Sequence, residues 1–188
     1  MIFPIYAYGQ PVLRQKAVDI DKDYPKFEKL IKDMWETLYH TNGVGLAAPQ
    51  IGKPIRLFLV DTVQVNEEKP EAEEEGIKMV FINAQKLEET GEPWTYEEGC
   101  LSIPDVSGDV DRPAKITLRY LDENFEEHTR TFDGIDARVI QHEYDHIEGV
   151  LFTEHLKPVK KQLIRRKLES IRKGKAKADY DMKFYTKR

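Results

Sequence analysis

Residues 135–149, IDARVIQHEYDHIEG, limit the fold more than any other stretch of the chain. Ile135, Val139, Ile140 and Ile147 fall on or beside one face at helical spacing, and Gly149 suits a helix-ending cap, so the segment reads as a helix. Inside it, HEYDH sets His142 and His146 one turn apart, with Glu143 turned partly toward the same side. Imidazoles so spaced present their nitrogens to one divalent ion, as in metal hydrolases. The bland alternative is a helix that carries two of the chain's five histidines by chance, expected in on the order of one in 100 such chains.

Around this helix the pattern supplies strands and two further helices. Phe27, Leu30, Ile31, Met34, Trp35 and Leu38 recur at helical spacing over residues 25–40, with Pro25 suited to a first turn. HTNGVGLAAPQIGKP then reads as an ordered loop, because Gly43 and Gly45 permit unusual backbone while Pro49 and Pro54 forbid a helix. IRLFLV (55–60) and MVFIN (79–83) read as buried strands, and KITLRYL (115–121) and EEHTRTF (126–132) as a hairpin around DENF. Between the first two lies QVNEEKPEAEEEG (64–76), with six glutamates and one lysine, which is expected to be a solvated, mobile loop. A last helix over 158–172 opens on a proline and carries Val159, Leu163, Leu168 and Ile171 as a narrow apolar stripe among basic residues. The expected class is α+β: antiparallel strands around a central HExxH helix, with N-terminal and C-terminal helices.

At 188 residues the chain is long enough for one sizeable core and short for two ordinary domains. Residues 1–188 are therefore expected to form a single domain, including a basic C-terminal helix and tail from about residue 157. No apolar run approaches the roughly 18 residues of a membrane span, and MIFPIYAYGQ lacks the features of a signal peptide. A cytoplasmic protein is expected, with neither a membrane nor DNA as partner. The net charge of −5 hides an asymmetry: thirteen Lys and Arg against three acidic residues from Lys157 onward leave an acidic body of about −15.

Two histidines do not complete a metal site. Downstream, Glu148, Glu154 and His155 match no clear ligand pattern, and HExxHxxGxxH fails because Phe152 stands where its last histidine belongs. Upstream lies the sole cysteine, Cys100, in YEEGCLSIPDVSG, which reads as a loop. One cysteine forms no internal disulfide, which leaves buried filler, a reactive thiol or a metal ligand. A loop thiol makes poor filler, and thiolate with two imidazoles suits a borderline-soft ion while keeping a position open for water.

GVGLAAPQ (43–50), EGCLS (98–102) and HEYDH (142–146), in that order, resemble the three motifs of peptide deformylases. The intervening lengths suit a bacterial-type member, and the resemblance covers about residues 1–172. It implies a hydrolase that removes the formyl group from the N-terminal formyl-methionine of nascent polypeptides. Its cofactor would be one divalent metal ion held by Cys100, His142 and His146, usually Fe2+, with Zn2+, Ni2+ or Co2+ also accepted. Glu143 would serve as general base and then acid. The Gln50 side-chain amide and the Leu101 backbone N–H would meet the oxyanion.

By the same resemblance the Gly45 backbone docks the substrate as an added strand. Val44, Ile135 and Val139 are candidate walls of a methionine pocket, with ordinary core packing as the competing reading. Ser107 stands where some members have a substrate-placing arginine. Glu98 and Asp145 either orient neighbours, Glu98 through Arg112 for example, or are solvated carboxylates. The basic C-terminal helix implies contact with the ribosome, against a plain solvated face. Two other functions compete: a zinc endopeptidase of the HExxH class, which lacks its downstream ligand here, and a noncatalytic ribosome-binding protein, which would not need Glu143 or Gln50.

Overall fold

The structure is a computed structural model and describes residues 1–67 and 75–187. In chain order its elements are β1 (Ile5–Tyr6), α1 (Phe27–His40), β2 (Gly45–Ala47), β3 (Leu57–Asp61), α2 (Val63–Glu67), β4 (Lys78–Thr90), β5 (Trp94–Cys100), β6 (Ile103–Arg112), β7 (Lys115–Leu121), β8 (Glu127–Asp133), α3 (Gly134–Ile147), α4 (Pro158–Arg172) and β9 (Met182–Lys183). The class is α+β, with two antiparallel sheets, a short parallel pair β1–β9 and four α-helices among the described residues.

Five strands form one antiparallel sheet in the order β2-β3-β4-β7-β8. Side chains alternate across a strand, so β3 serves two cores at once. Phe58 and Val60 join Phe81, Leu118 and Phe132 on one face, where Ala137, Ile140, Tyr144 and Ile147 of α3 pack against them. Leu57 and Leu59 join Val80 and Ile82 on the other, beneath Leu30, Ile31, Met34 and Leu38 of α1. Phe58 lies opposite Phe81 in the register, and their rings stack at 4.8 Å.

Several sequence expectations change here. Helix α1 starts at Phe27 rather than Pro25, because Lys26 sits at φ +55, outside helical geometry. The loop read around GVGLAAPQ contains β2, and that read around Cys100 is the antiparallel β5–β6 hairpin. The apolar stripe of α4 was misplaced: Val159 and Leu163 are 73% exposed, whereas Ile164 and Ile171 are buried, with Leu168 packed beside them. Ile164, Leu168 and Ile171 share one helix face at i, i+4 and i+7, and Val159 and Leu163 fall on the flank beside it. Of the acidic stretch 64–76, residues up to Glu67 belong to α2, and 68–74 lie outside the described residues. Helix α3 ends near Gly149 at φ +76, where an added Cβ would meet the Arg14 carbonyl oxygen at 2.6 Å; only glycine fits that turn.

Candidate active site

Helix α3 and hairpin β5–β6 converge on one cavity. Cys100 closes β5, and its Sγ lies 3.4 Å from His146 Nε2. Donor atoms of Cys100, His142 and His146 all lie within 4.8 Å of one another, a set able to hold a metal ion. Burial would push the Cys100 thiol up, but His146 and His142 beside it outweigh burial and bring it down to about 5. A thiol that sheds its proton beside two imidazoles fits a soft or borderline cation.

The other candidates for a third ligand are engaged elsewhere. Glu148 pairs with Arg56, Glu154 with Arg14, and His155 with Asp145. Phe152 instead packs its ring against that of His142 at 6.0 Å.

His142 is held from behind. Its Nδ1 meets Glu98 Oε1 at 2.9 Å, which leaves Nε2 for the cavity. Glu98 also accepts from Arg112 at 2.8 and 3.0 Å and from Arg138 at 3.0 Å, and Arg112 reaches Asp145 at 2.9 Å. Burial would raise the Glu98 carboxyl, but bonds from His142 and Arg112 hold it well below the usual carboxylate range. A carboxylate behind a ligating histidine fixes its tautomer and orientation. Glu98 and Asp145 are thus orienting groups rather than solvated ones.

Glu143 is 4% exposed, and its Oε2 has no hydrogen-bond partner among the described residues. Burial raises its carboxyl to about 7, against the opposing pull of His142 and His146. Gly45 lies directly against it: an added Cβ would meet Glu143 Oε1 at 2.5 Å. The position therefore admits no side chain.

Gln50 is also buried. Its Oε1 accepts from the Ala47 N–H at 3.0 Å, which turns Nε2 toward the Cys100 Sγ at 3.5 Å and the Ser102 Oγ at 3.3 Å. That backbone bond fixes which end of the amide faces the site.

The cavity, of about 1060 Å³, gathers every residue read from sequence as catalytic, substrate-binding or metal-ligating except His146, which touches it through Cys100, while Asp145 lies outside its lining. Val44, Gly45, Gln50, Leu101, Ile135, Val139, His142 and Glu143 all line it, as does Ser107. Sequence reading missed Tyr96, Arg138 and the segment Lys177–Tyr180 on the same wall. Arg138 is 2% exposed, with its guanidinium over the Trp94 ring at 4.6 Å. Its place on α3, four residues before His142, was the available signal.

A thiol, two imidazoles and a buried unpartnered carboxylate around one cavity define a hydrolase of the metal-dependent kind. Comparison with known proteins narrows the class. The family model described as polypeptide deformylase matches residues 2–162. The chain is 57% identical to the peptide deformylase of Christiangramia forsetii, over 98% of this chain and 96% of the relative. It is 53% identical to that of Flavobacterium psychrophilum, over all of both chains. Among solved structures, a peptide deformylase from Legionella pneumophila superposes with a TM-score of 0.79 at 34% identity, covering 94% of this chain and 99% of that one. Peptide deformylase 1B of Arabidopsis thaliana gives 0.80 at 31% identity, covering 92% and 91%. The chain belongs to the peptide deformylase family, and it is an enzyme of that kind.

Proposed function

We propose that this enzyme removes the formyl group from the N-terminal formyl-methionine of nascent polypeptides, with residues 1–188 acting as one domain around α3 as its central helix. The observation that carries the reading is the buried Glu143 carboxylate, whose Oε2 has no hydrogen-bond partner among the described residues, beside the Cys100, His142 and His146 donors. These three residues would hold one divalent ion, Fe2+ by family resemblance, which when bound acidifies water and polarises the formyl carbonyl. Glu143 takes the proton from the attacking water and delivers it to the departing amine nitrogen. The Gln50 amide and the Leu101 N–H donate to the oxygen that gains charge. The Gly45 backbone, on an edge strand, docks the peptide main chain. Val44, Ile135 and Val139 enclose the methionine side chain.

Metal analysis of anaerobically prepared protein, with an assay on a formyl-Met peptide, tests this reading. Formate release with no cleavage of internal peptide bonds is the expected result; internal cleavage would restore the zinc endopeptidase. In the same assay Cys100→Ser is expected to lower metal content sharply, and unchanged stoichiometry would remove Cys100 from the ligand set.

The proposed site of action is the cytoplasm, where nascent chains emerge; no helix among the described residues is long and apolar enough to cross a membrane. Lys161, Arg165 and Arg166 on the exposed side of α4 support contact with ribosomal RNA. Co-sedimentation with ribosomes should weaken as salt rises and when the three are neutralised; binding indifferent to both would reject the contact.

A further inference from the structure

After α4 the chain turns back across the body of the protein. Gly174, at φ +77, permits the reversal, and the Lys175 N–H donates to the Ser170 carbonyl at 2.9 Å. Beyond residue 180, β9 pairs in parallel with β1, and the Ala7 N–H and the Gln10 side chain both donate to the Lys183 carbonyl, at 3.0 and 3.1 Å. The segment between is tied at both ends. Lys177, Asp179 and Tyr180 line the same cavity as Cys100 and Glu143.

Tyr180 is partly buried and donates its O–H to the Leu101 carbonyl at 2.7 Å. Leu101 is thereby fixed on both sides, by Cys100 before it and by the phenol at its carbonyl. Lys177 and Asp179 are exposed at the rim. The cavity, about 1060 Å³, lies just above the roughly 300–1,000 Å³ typical of small-molecule sites, so it has room for peptide beyond one methionine. The family model stops at residue 162, inside α4, so this wall lies beyond the stretch it describes, although full-length relatives span it.

We infer that residues 177–180 belong to the peptide site: Tyr180 positions the Leu101 turn for the reaction, and Lys177 and Asp179 contact the substrate chain beyond its formyl-methionine. The inference rests on the deformylation reading above. The test uses the full-length, metal-loaded enzyme and formyl-Met tetrapeptides bearing Lys or Glu at the third position, assayed at low salt. Tyr180→Phe is expected to lower kcat about three- to tenfold with KM unchanged, the scale of one lost hydrogen bond. Lys177→Glu should shift the kcat/KM ratio toward the Lys peptide by about two- to fivefold, and Asp179→Lys should shift it toward the Glu peptide, as exposed charge pairs do.

A Tyr180→Phe enzyme with a lowered Tm but unmoved kcat would make Tyr180 a brace only. Ratios unmoved in both charge variants would take the rim out of the peptide site. Wild-type enzyme that fails to deformylate either peptide would instead overturn the proposed function.

Discussion

Replacing Glu143 with alanine is expected to lower kcat on a formyl-Met peptide by about 10²- to 10⁴-fold, the range of positioned general acid–base catalysis. Metal content should stay at the wild-type level, because Glu143 is not among the three clustered donors. The loss should fall on kcat rather than KM, since the role proposed for the carboxylate is proton transfer and not peptide docking. In the proposed role its ionised form acts as the base, so activity is expected above its pKa and should fade as pH falls through it. Burial raises the group to about 7, and a nearby dication draws it down again. The acid limb of kcat/KM is therefore expected below pH 7, and no such limb should remain in the alanine variant. A variant retaining more than a tenth of wild-type kcat would remove Glu143 as the base.

The second large effect is expected at Glu98, through stability and metal affinity together. Glu98, Arg112 and Arg138 are 5%, 6% and 2% exposed, and the carboxylate is hydrogen-bonded to both guanidiniums and to His142. Glu98→Ala takes from Arg138 its carboxylate partner among the described residues and leaves Arg112 with Asp145 alone, and breaking a buried pair costs about 3–5 kcal/mol. For a chain of this size that is a fall in Tm on the order of 10 °C. His142 loses the acceptor that sets its tautomer, and metal affinity should drop about 10- to 100-fold. Thermal denaturation and metal titration read the two effects separately. An unchanged Tm would mean that the guanidiniums find other acceptors, and unchanged affinity would mean that His142 is oriented by packing on Phe152 alone.

The fold was legible where the signal is local. Helix α3 and the β7–β8 hairpin carry their periodicity within one continuous stretch, and HEYDH keeps its spacing because it lies inside one helix. Hairpin β5–β6 was not legible because its buried face uses Gly108 and Arg112 alongside Val106 and Val110, while its exposed face uses Asp and Ser. Such a strand resembles a loop in composition. Its alternation is clear only once Leu156 is seen against Gly108 and Glu98 against Arg112.

Arg138 was hidden for a related reason: a long basic side chain reads as surface until its anion, forty residues away in sequence, is found beside it. Tyr180 reaches Leu101 across 79 residues, and no local pattern encodes that. Helix α4 was legible as a helix but not in its rotation, since the Val159/Leu163 and Ile164/Leu168 rows are neighbours and only packing chooses between them.

The edge position of β2 has a consequence for which molecules the enzyme accepts. An open sheet edge invites any extended polypeptide, including the interior of an unfolded one. Here the edge offers only the three residues Gly45–Ala47, and Glu143 stands against the first of them. A strand so short gives a passing chain little ladder to hold. With the peptide docked there as proposed, grip would depend on the end of the guest that enters the cavity, so a free end would be admitted and a mid-chain segment would slide off.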